Sequence, residues 1–241
     1  MFPLHDDNPA SLVPYVTWTI LIACILTFLW QLSHDSQAEQ IIVHTLGVIP
    51  AVLFGHAILP PELVSVSAYA TVFTSMFLHG GWMHLIGNVL YLWVFGNNIE
   101  AAMGHVRYAL FYLICGVVAV LSQSLPDTAS QVPMIGASGA ISGVLGAYLL
   151  LYPQARVLVL IPVFFLVWTV RIPALYVLGV WFLMQLLNSV MSSGQEGGVA
   201  FGAHIGGFVA GMLLVPLFRQ AGNRLYIPFV HCQPFRRWRG K

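Results

Sequence analysis

Gly136-Ala137-Ser138-Gly139 sets a serine at the start of an apolar run, with Gly143 and Gly146 following it. A hydroxyl placed there either caps a helix or attacks a carbonyl. Two other apolar runs each carry a histidine near one end, His84 and His204. Serine is a poor nucleophile until a base within hydrogen-bond reach takes its proton, and histidine is the usual base. His204 fits that role, so Ser138 with His204 points to hydrolysis. Attack on a peptide carbonyl also needs donors aimed at the developing oxyanion. His84 and Asn88 stand four residues apart and therefore share one face of a helix. Together with the backbone N–H of Ser138 at a helix start, they form the candidate oxyanion set. No carboxylate occurs at a comparable position in any apolar run. A dyad is therefore expected, with an uncharged group holding the imidazole.

Other chemistries fit less well. His79, His84 and His204 are candidates to converge on a metal, but there is no HExxH, and acidic or cysteine ligands are absent nearby. Neither a metal nor a cofactor is expected. A paired-aspartate mechanism fails because no aspartate lies in an apolar run. Ser142, one turn beyond Ser138, is a second candidate nucleophile, though deeper and harder for water to reach. Structural readings stand beside the functional ones: Ser138 as an N-cap, and His84, Asn88 and His204 as interhelical hydrogen-bonders. Glu100 and Arg107 flank a short turn eased by Gly104, and read as a structural ion pair or as contacts to free carbonyls.

The elements that must position these groups follow from composition. The chain has 241 residues, 59% hydrophobic and 7% charged, with a formal net charge of +1 and a mean hydropathy of +0.84. That excludes a soluble globule and leaves a single integral membrane domain. Cys24, Cys115 and Cys232 are too few and scattered for a disulfide framework. Asp6 and Asp7, with no Lys or Arg beside them, precede the first apolar run. That run is therefore read as a retained span rather than a signal peptide.

A helix needs about 20 mainly apolar residues to cross the hydrocarbon. Six candidates satisfy or approach this, at roughly 13–32, 81–99, 106–125, 138–152, 172–191 and 200–218. Residues 41–78 are also apolar, but Pro50, Pro60, Pro61 and Glu62 interrupt them, so they are read as a long, partly embedded first loop. The division is thus a short N-terminus (1–12), a six-helix membrane domain (13–218) and a basic tail (219–241). All nine Lys and Arg fall in the even-numbered connections or the tail, whereas Asp35, Glu39, Glu62, Asp127 and Glu196 fall in the odd ones. The positive-inside rule then puts both termini in the cytoplasm.

Under that topology spans two, four and six run in the same direction, each with its polar residue in its first two turns. His84, Ser138 and His204 therefore share one depth. At about 1.5 Å per residue, the fourth run extends roughly 22 Å against roughly 30 Å of hydrocarbon. Ser138 consequently starts below the outer surface, and residues 133–137 reach it as non-helical backbone lining a watery hollow. Gly139 with Gly143, and Gly207 with Gly211, form GxxxG steps that let spans four and six approach closely.

These pieces in this order resemble the rhomboid family of intramembrane serine proteases. They are His79-Gly80-Gly81-Trp82-Met83-His84-Leu85-Ile86-Gly87-Asn88, Asn98-Ile99-Glu100 with Gly104-His105-Val106-Arg107-Tyr108, Gly136-Ala137-Ser138-Gly139, and Gly202-Ala203-His204-Ile205-Gly206-Gly207. The resemblance implies an all-α six-helix bundle with Ser138 as nucleophile and His204 as general base. It also implies His84 and Asn88 in oxyanion stabilisation, a membrane-embedded first loop and no cofactor, while Gly136, Gly139, Gly143, Gly207 and Gly211 are read as structural. Substrates would be single-span membrane proteins cut in or near the membrane, with lipid as the other partner and no nucleic acid. The small size suits a prokaryotic cytoplasmic membrane, and the oligomeric state is left open. Two departures stand out: Ser142 occupies a position where many relatives carry an aromatic against the catalytic ring, and the first loop lacks a clear Trp-Arg motif. A catalytically silent member that binds membrane clients is the alternative. A transporter lacks support, since there is neither an intramembrane charge relay nor an internal repeat.

Overall fold

The computed structural model describes residues 2–163, 166–191 and 199–223. In chain order, a short strand β1 (Phe2–Asp6) leads through Pro14 into helix α1 (Tyr15–Leu32). The first loop then folds into three short helices, α2 (Ser36–Leu46), α3 (Pro50–Leu53) and α4 (Ala68–Thr74). Their starts follow from local chemistry. Asp35 accepts a bond from Ala38 N at 2.8 Å, Ser67 accepts one from Ala70 N at 3.2 Å, and Pro50 occupies the first turn of α3.

Helix α5 (Trp82–Met103) and helix α6 (His105–Ser124) meet at Gly104, whose φ of 78° lies in the left-handed region that favours glycine. Helix α7 (Ser138–Leu151) follows, then strands β2 (Arg156–Val163) and β3 (Leu166–Pro173), helix α8 (Ala174–Met191) and helix α9 (Phe201–Phe218).

The six apolar runs thus become α1, α5, α6, α7, α8 and α9, as the sequence predicts. Among the described residues α1, α6, α8 and α9 are long and apolar enough to cross a membrane. Helix α5 forms a further candidate in a pair bent by 81° with residues 61–77. Helix α7, at 14 residues, is the short one. The end of α5 runs past the expected position because Glu100, which reads in sequence as an end signal, is fully buried with its carboxylate satisfied.

Helix α7 lies in the middle of the bundle, and nearly every residue from Gly139 to Tyr148 is buried. It packs on α9 backbone to backbone. A Cβ on Gly207 would land on the carbonyl oxygen of Gly139, one on Gly211 on that of Gly143, and one on Gly146 on that of Phe208. The GxxxG steps therefore act as the sequence predicts: their missing side chains are what let the two helices touch. Cys24 and Cys115 are buried as small hydrophobes.

One element was not foreseen. Strands β1, β2 and β3 form an antiparallel sheet in that order, with Asp6 opposite Val157 and Val159 opposite Val170. The bundle is helical as expected, but the N-terminus and the connection before α8 are not plain linkers. In β3, Trp168, Val170 and Ile172 alternate with Thr169 and Arg171 at period two, the pattern of a half-buried strand, whereas β2 is apolar from Val157 onward. Asp6 on β1 accepts hydrogen bonds from Tyr148 near the end of α7 and from Asn98 on α5, so the sheet closes the end of the bundle away from Ser138. Residues of the basic tail from Arg224 on, Cys232 included, lie outside the described residues, as does Glu196.

Candidate active site

Ser138 opens α7, directly after a non-helical segment whose backbone pairs in part with the first loop. Met134 N and O pair with Val48 O and N, and Gly136 N donates to Ser75 O at 2.8 Å. The first loop thus supplies the partners that a strand at membrane depth needs. Gly136 has φ 120°, a conformation other residues avoid, and a Cβ there would stand 2.6 Å from His84 Nε2. Glycine at 136 is required twice over, by the turn and by the imidazole beside it.

Ser138 is not an N-cap; its side chain makes no capping bond, and Ala137 holds the cap position. Instead its Oγ lies 2.7 Å from His204 Nε2. His204 sits in the first turn of α9, and the glycine-mediated contact between α7 and α9 sets this spacing. The opposite ring nitrogen, Nδ1, lies 2.8 Å from Gln185 Oε1 on α8. With Nδ1–H donating to that carbonyl, Nε2 carries a lone pair toward the serine hydroxyl, the tautomer a general base needs. Trp181 and Phe201 flank the ring, with centroids 5.9 and 6.3 Å away.

Gln185 is the residue of the candidate site that the sequence reading missed, although its amide, like that of Asn188, was visible in an apolar span. It answers the expectation of an uncharged group behind His204. Ser142, the second candidate nucleophile, donates its hydroxyl to Ser138 O at 2.6 Å and is buried, so it is turned back into its own helix.

His84 and Asn88 occupy one side of α5, as their spacing predicts. The His84 ring touches the Gly136 turn, accepts weakly from Gly80 N at 3.4 Å and stands 5.2 Å from the ring of His79. Asn88 is buried, and its side-chain Nδ2 has no hydrogen-bond partner among the described residues. A buried amide with an unused donor is costly unless something it serves arrives there. A cavity of about 40 Å³ borders Ser138, Gly136, Gly139 and Ala203, room enough for a water molecule or two. A larger cavity of about 330 Å³ lies within the first loop and includes none of these residues.

Glu100 and Arg107 do not form the ion pair that was one of the two readings of this turn. The Glu100 carboxylate accepts from Val16 N, Thr17 N and Thr17 Oγ1 at 2.7 to 2.9 Å, and His105 Nδ1 lies 2.6 Å away. It caps α1 from across the bundle, while Arg107 is exposed and, among the described residues, makes no ion pair with it. The imidazole next to the turn reaches the buried carboxylate, and the longer guanidinium stays at the surface. No group of three or more His, Cys, Asp or Glu side chains fit to hold a metal occurs among the described residues.

Comparison with known proteins bears on this arrangement. A model of the Rhomboid domain matches residues 66–221. RHOMBOID-like protein 5 of Arabidopsis thaliana is 30% identical over 92% of this chain and 75% of its own length. Rhomboid protein 1, mitochondrial, of Saccharomyces cerevisiae is 28% identical over 61% of the chain and 41% of its own length. Rhomboid protease GluP of Bacillus subtilis is 31% identical over 68% of the chain and 30% of its own length. Relatives thus come from plants, mitochondria and bacteria, and do not single out a prokaryotic cytoplasmic membrane.

Proposed function

This chain belongs to the rhomboid family, and from that premise we propose that it is an intramembrane serine endopeptidase working through Ser138 and His204. The family includes proteases and inactive members, so the weight rests on the site. The observation that carries the reading is the 2.7 Å contact between Ser138 Oγ and His204 Nε2, with Gln185 Oε1 behind the ring at 2.8 Å.

In the proposed reaction, a substrate helix enters between α5 and α8, unwinds locally and presents a carbonyl carbon to Ser138. Segments with Gly or Pro unwind at least cost, because their helical hydrogen bonding is already weak. Ser138 Oγ attacks as its proton passes to His204 Nε2, and the ring then carries the proton to the leaving amine. The imidazolium formed in between keeps its Nδ1–H on Gln185. The oxyanion forms against the Ser138 N–H, with Asn88 Nδ2 and His84 as further donors. A water from the cavity beside Ser138, deprotonated by the same imidazole, releases the acyl group.

Substrates are single-span membrane proteins cut near the membrane face at which α7 begins. The charge distribution supports a topology with that face outside and both termini in the cytoplasm. No cofactor enters the scheme.

Cleavage of a model single-span substrate by purified protein in vesicles tests the reading. Wild type is expected to cut, and Ser138→Ala and His204→Ala to lose the activity while keeping the same thermal unfolding profile. A Ser138→Ala protein that still cuts would remove the assignment, and a wild type with no activity on any such substrate would favour the silent, client-binding alternative.

A further inference from the structure

The three-stranded sheet has two unlike faces, and one of them continues past the edge of the bundle. In an antiparallel sheet, paired residues point to the same side, and successive residues alternate. Val157 with Ile172, Val159 with Val170, and Ile161 with Trp168 therefore lie on one face, which Asp6 shares through its pairing with Val157.

At the base of the hairpin this face is packed onto the helices. Val157 and Val159 are fully buried in one core with Tyr148, Ala174 and Val177, and Ile161 and Ile172 pack against it. Along β3, the edge strand, the same face loses its cover: Val170, opposite the buried Val159, is 42% exposed, and Trp168, opposite Ile161, 59%. A surface that points at the bundle where the bundle exists points, beyond the bundle's rim, at whatever surrounds it. β3 passes directly into α8 at Ala174, and the first turn of that span already exposes Leu175 and Tyr176. The surroundings at this level are thus lipid.

The other face carries the exposed Arg156, Arg171 and Thr169, with Val167 exposed near the tip, beside the half-buried Leu158 and Leu160 and the exposed Pro162 of β2. We propose that the β2–β3 hairpin is a membrane-resting platform, its Val170 and Trp168 side seated in the interface of the leaflet opposite the Ser138 site.

Physical limits fix how deep it sits. β3 is an edge strand, so its outward N–H and C=O groups need water or headgroups, and hydrocarbon would leave them unpaired. The hairpin rests at headgroup level, where an indole with one apolar body and one donor is most stable. Arg156 and Arg171 on the reverse face fit anionic headgroups curling over the edge or the water above them. Trp168 and Val167, exposed on opposite sides of β3, would otherwise stand bare in water.

The test uses the full chain with Cys232→Ser, since Cys24 and Cys115 are buried. Nitroxide labels are placed at Val170→Cys and, separately, at Thr169→Cys, neighbours on opposite faces. The protein is reconstituted in vesicles of phosphatidylcholine with phosphatidylglycerol. Collisions with oxygen, which concentrates in lipid, are compared with collisions with a water-soluble nickel chelate. The expected result is a several-fold higher oxygen-to-nickel ratio at 170 than at 169. Equal and high nickel access at both positions would place the hairpin in water and overturn the proposal. Shielding of position 170 from both reagents would equally overturn it, by showing a protein surface, whether a second copy or another partner, in the lipid's place. A second measurement is independent of the labels: brominated lipid should quench wild-type tryptophan emission more than that of Trp168→Phe, and identical quenching would count against the platform.

Discussion

The two ends of this bundle treat buried polar groups in opposite ways. Away from Ser138, the two buried carboxylates have their partners, although the Tyr108 and Tyr112 hydroxyls and Arg219 Nε have none among the described residues. Glu100 accepts three hydrogen bonds and faces His105, while Asp6 takes Tyr148 and Asn98, and Asn98 in turn accepts from Asn8. At the other end capacity is left over. Asn88 Nδ2 is buried without a partner among the described residues, the Ser138 hydroxyl engages only a base, and the backbone leading to it is loop rather than helix. Saturated networks hold the fold; spare donors and a lone pair aimed at a hydroxyl are what chemistry requires. The difference separates residues of similar burial and polarity into two roles.

The sharpest way to break the comparison is to desaturate the stable end. Glu100→Ala strands the N–H groups of Val16 and Thr17 and the Thr17 hydroxyl inside the bundle, and should cost about 3 kcal/mol or more of stability. Unfolding in a denaturing detergent titration would report it, and a loss below about 1 kcal/mol would mean that Glu100 is not the cap of α1. At the other end the prediction reverses. Asn88→Ala removes an unpaired amide, so stability should hold while turnover falls by roughly 10²-fold, the loss typical of one oxyanion donor. A destabilised Asn88→Ala with unchanged kcat would make Asn88 structural.

Gln185 lies on the boundary, since it is bonded but holds the ring of His204. Gln185→Ala should lower kcat by about tenfold with KM little changed, and Gln185→Glu, which restores an acceptor for Nδ1–H, should recover part of the loss. A change in KM alone would assign Gln185 to substrate contact rather than to positioning His204.

The smallest effect concerns Asp6, whose carboxyl is held above the ordinary value of 3.8 chiefly by burial, against the opposing pull of its Tyr148 hydrogen bond. The docked strand therefore keeps a proton that the released strand gives up. Docking weakens as pH rises from 3.8 through the raised value and strengthens on acidification. Asp6→Asn should flatten that part of the stability profile; an unchanged slope would show that other groups set it.

Much of the Ser138 end was legible in sequence because its signals are violations of local expectation. A serine, two histidines and an asparagine are expensive in apolar runs, and the glycines beside them state how closely the helices must meet. Gln185 carried the same kind of signal, but nothing local links it to a histidine 19 residues away on the next helix. The stable end was harder to read. Charge alone pairs Glu100 with Arg107, whereas burial selects His105 and the start of α1. The sheet hid in residues whose apolar content reads as membrane or linker, since a run such as Arg156 to Val163 has no partner until the N-terminus folds back 150 residues to meet it. In the first loop, Pro50 masked α3, because a proline starts a helix as readily as it stops one.

The most direct measurement is labelling with a fluorophosphonate in detergent, followed by mapping of the modified residue. The account predicts a single adduct on Ser138, absent in Ser138→Ala and strongly slowed in His204→Ala. An adduct on Ser142 or elsewhere, or labelling at an undiminished rate without His204, would contradict it.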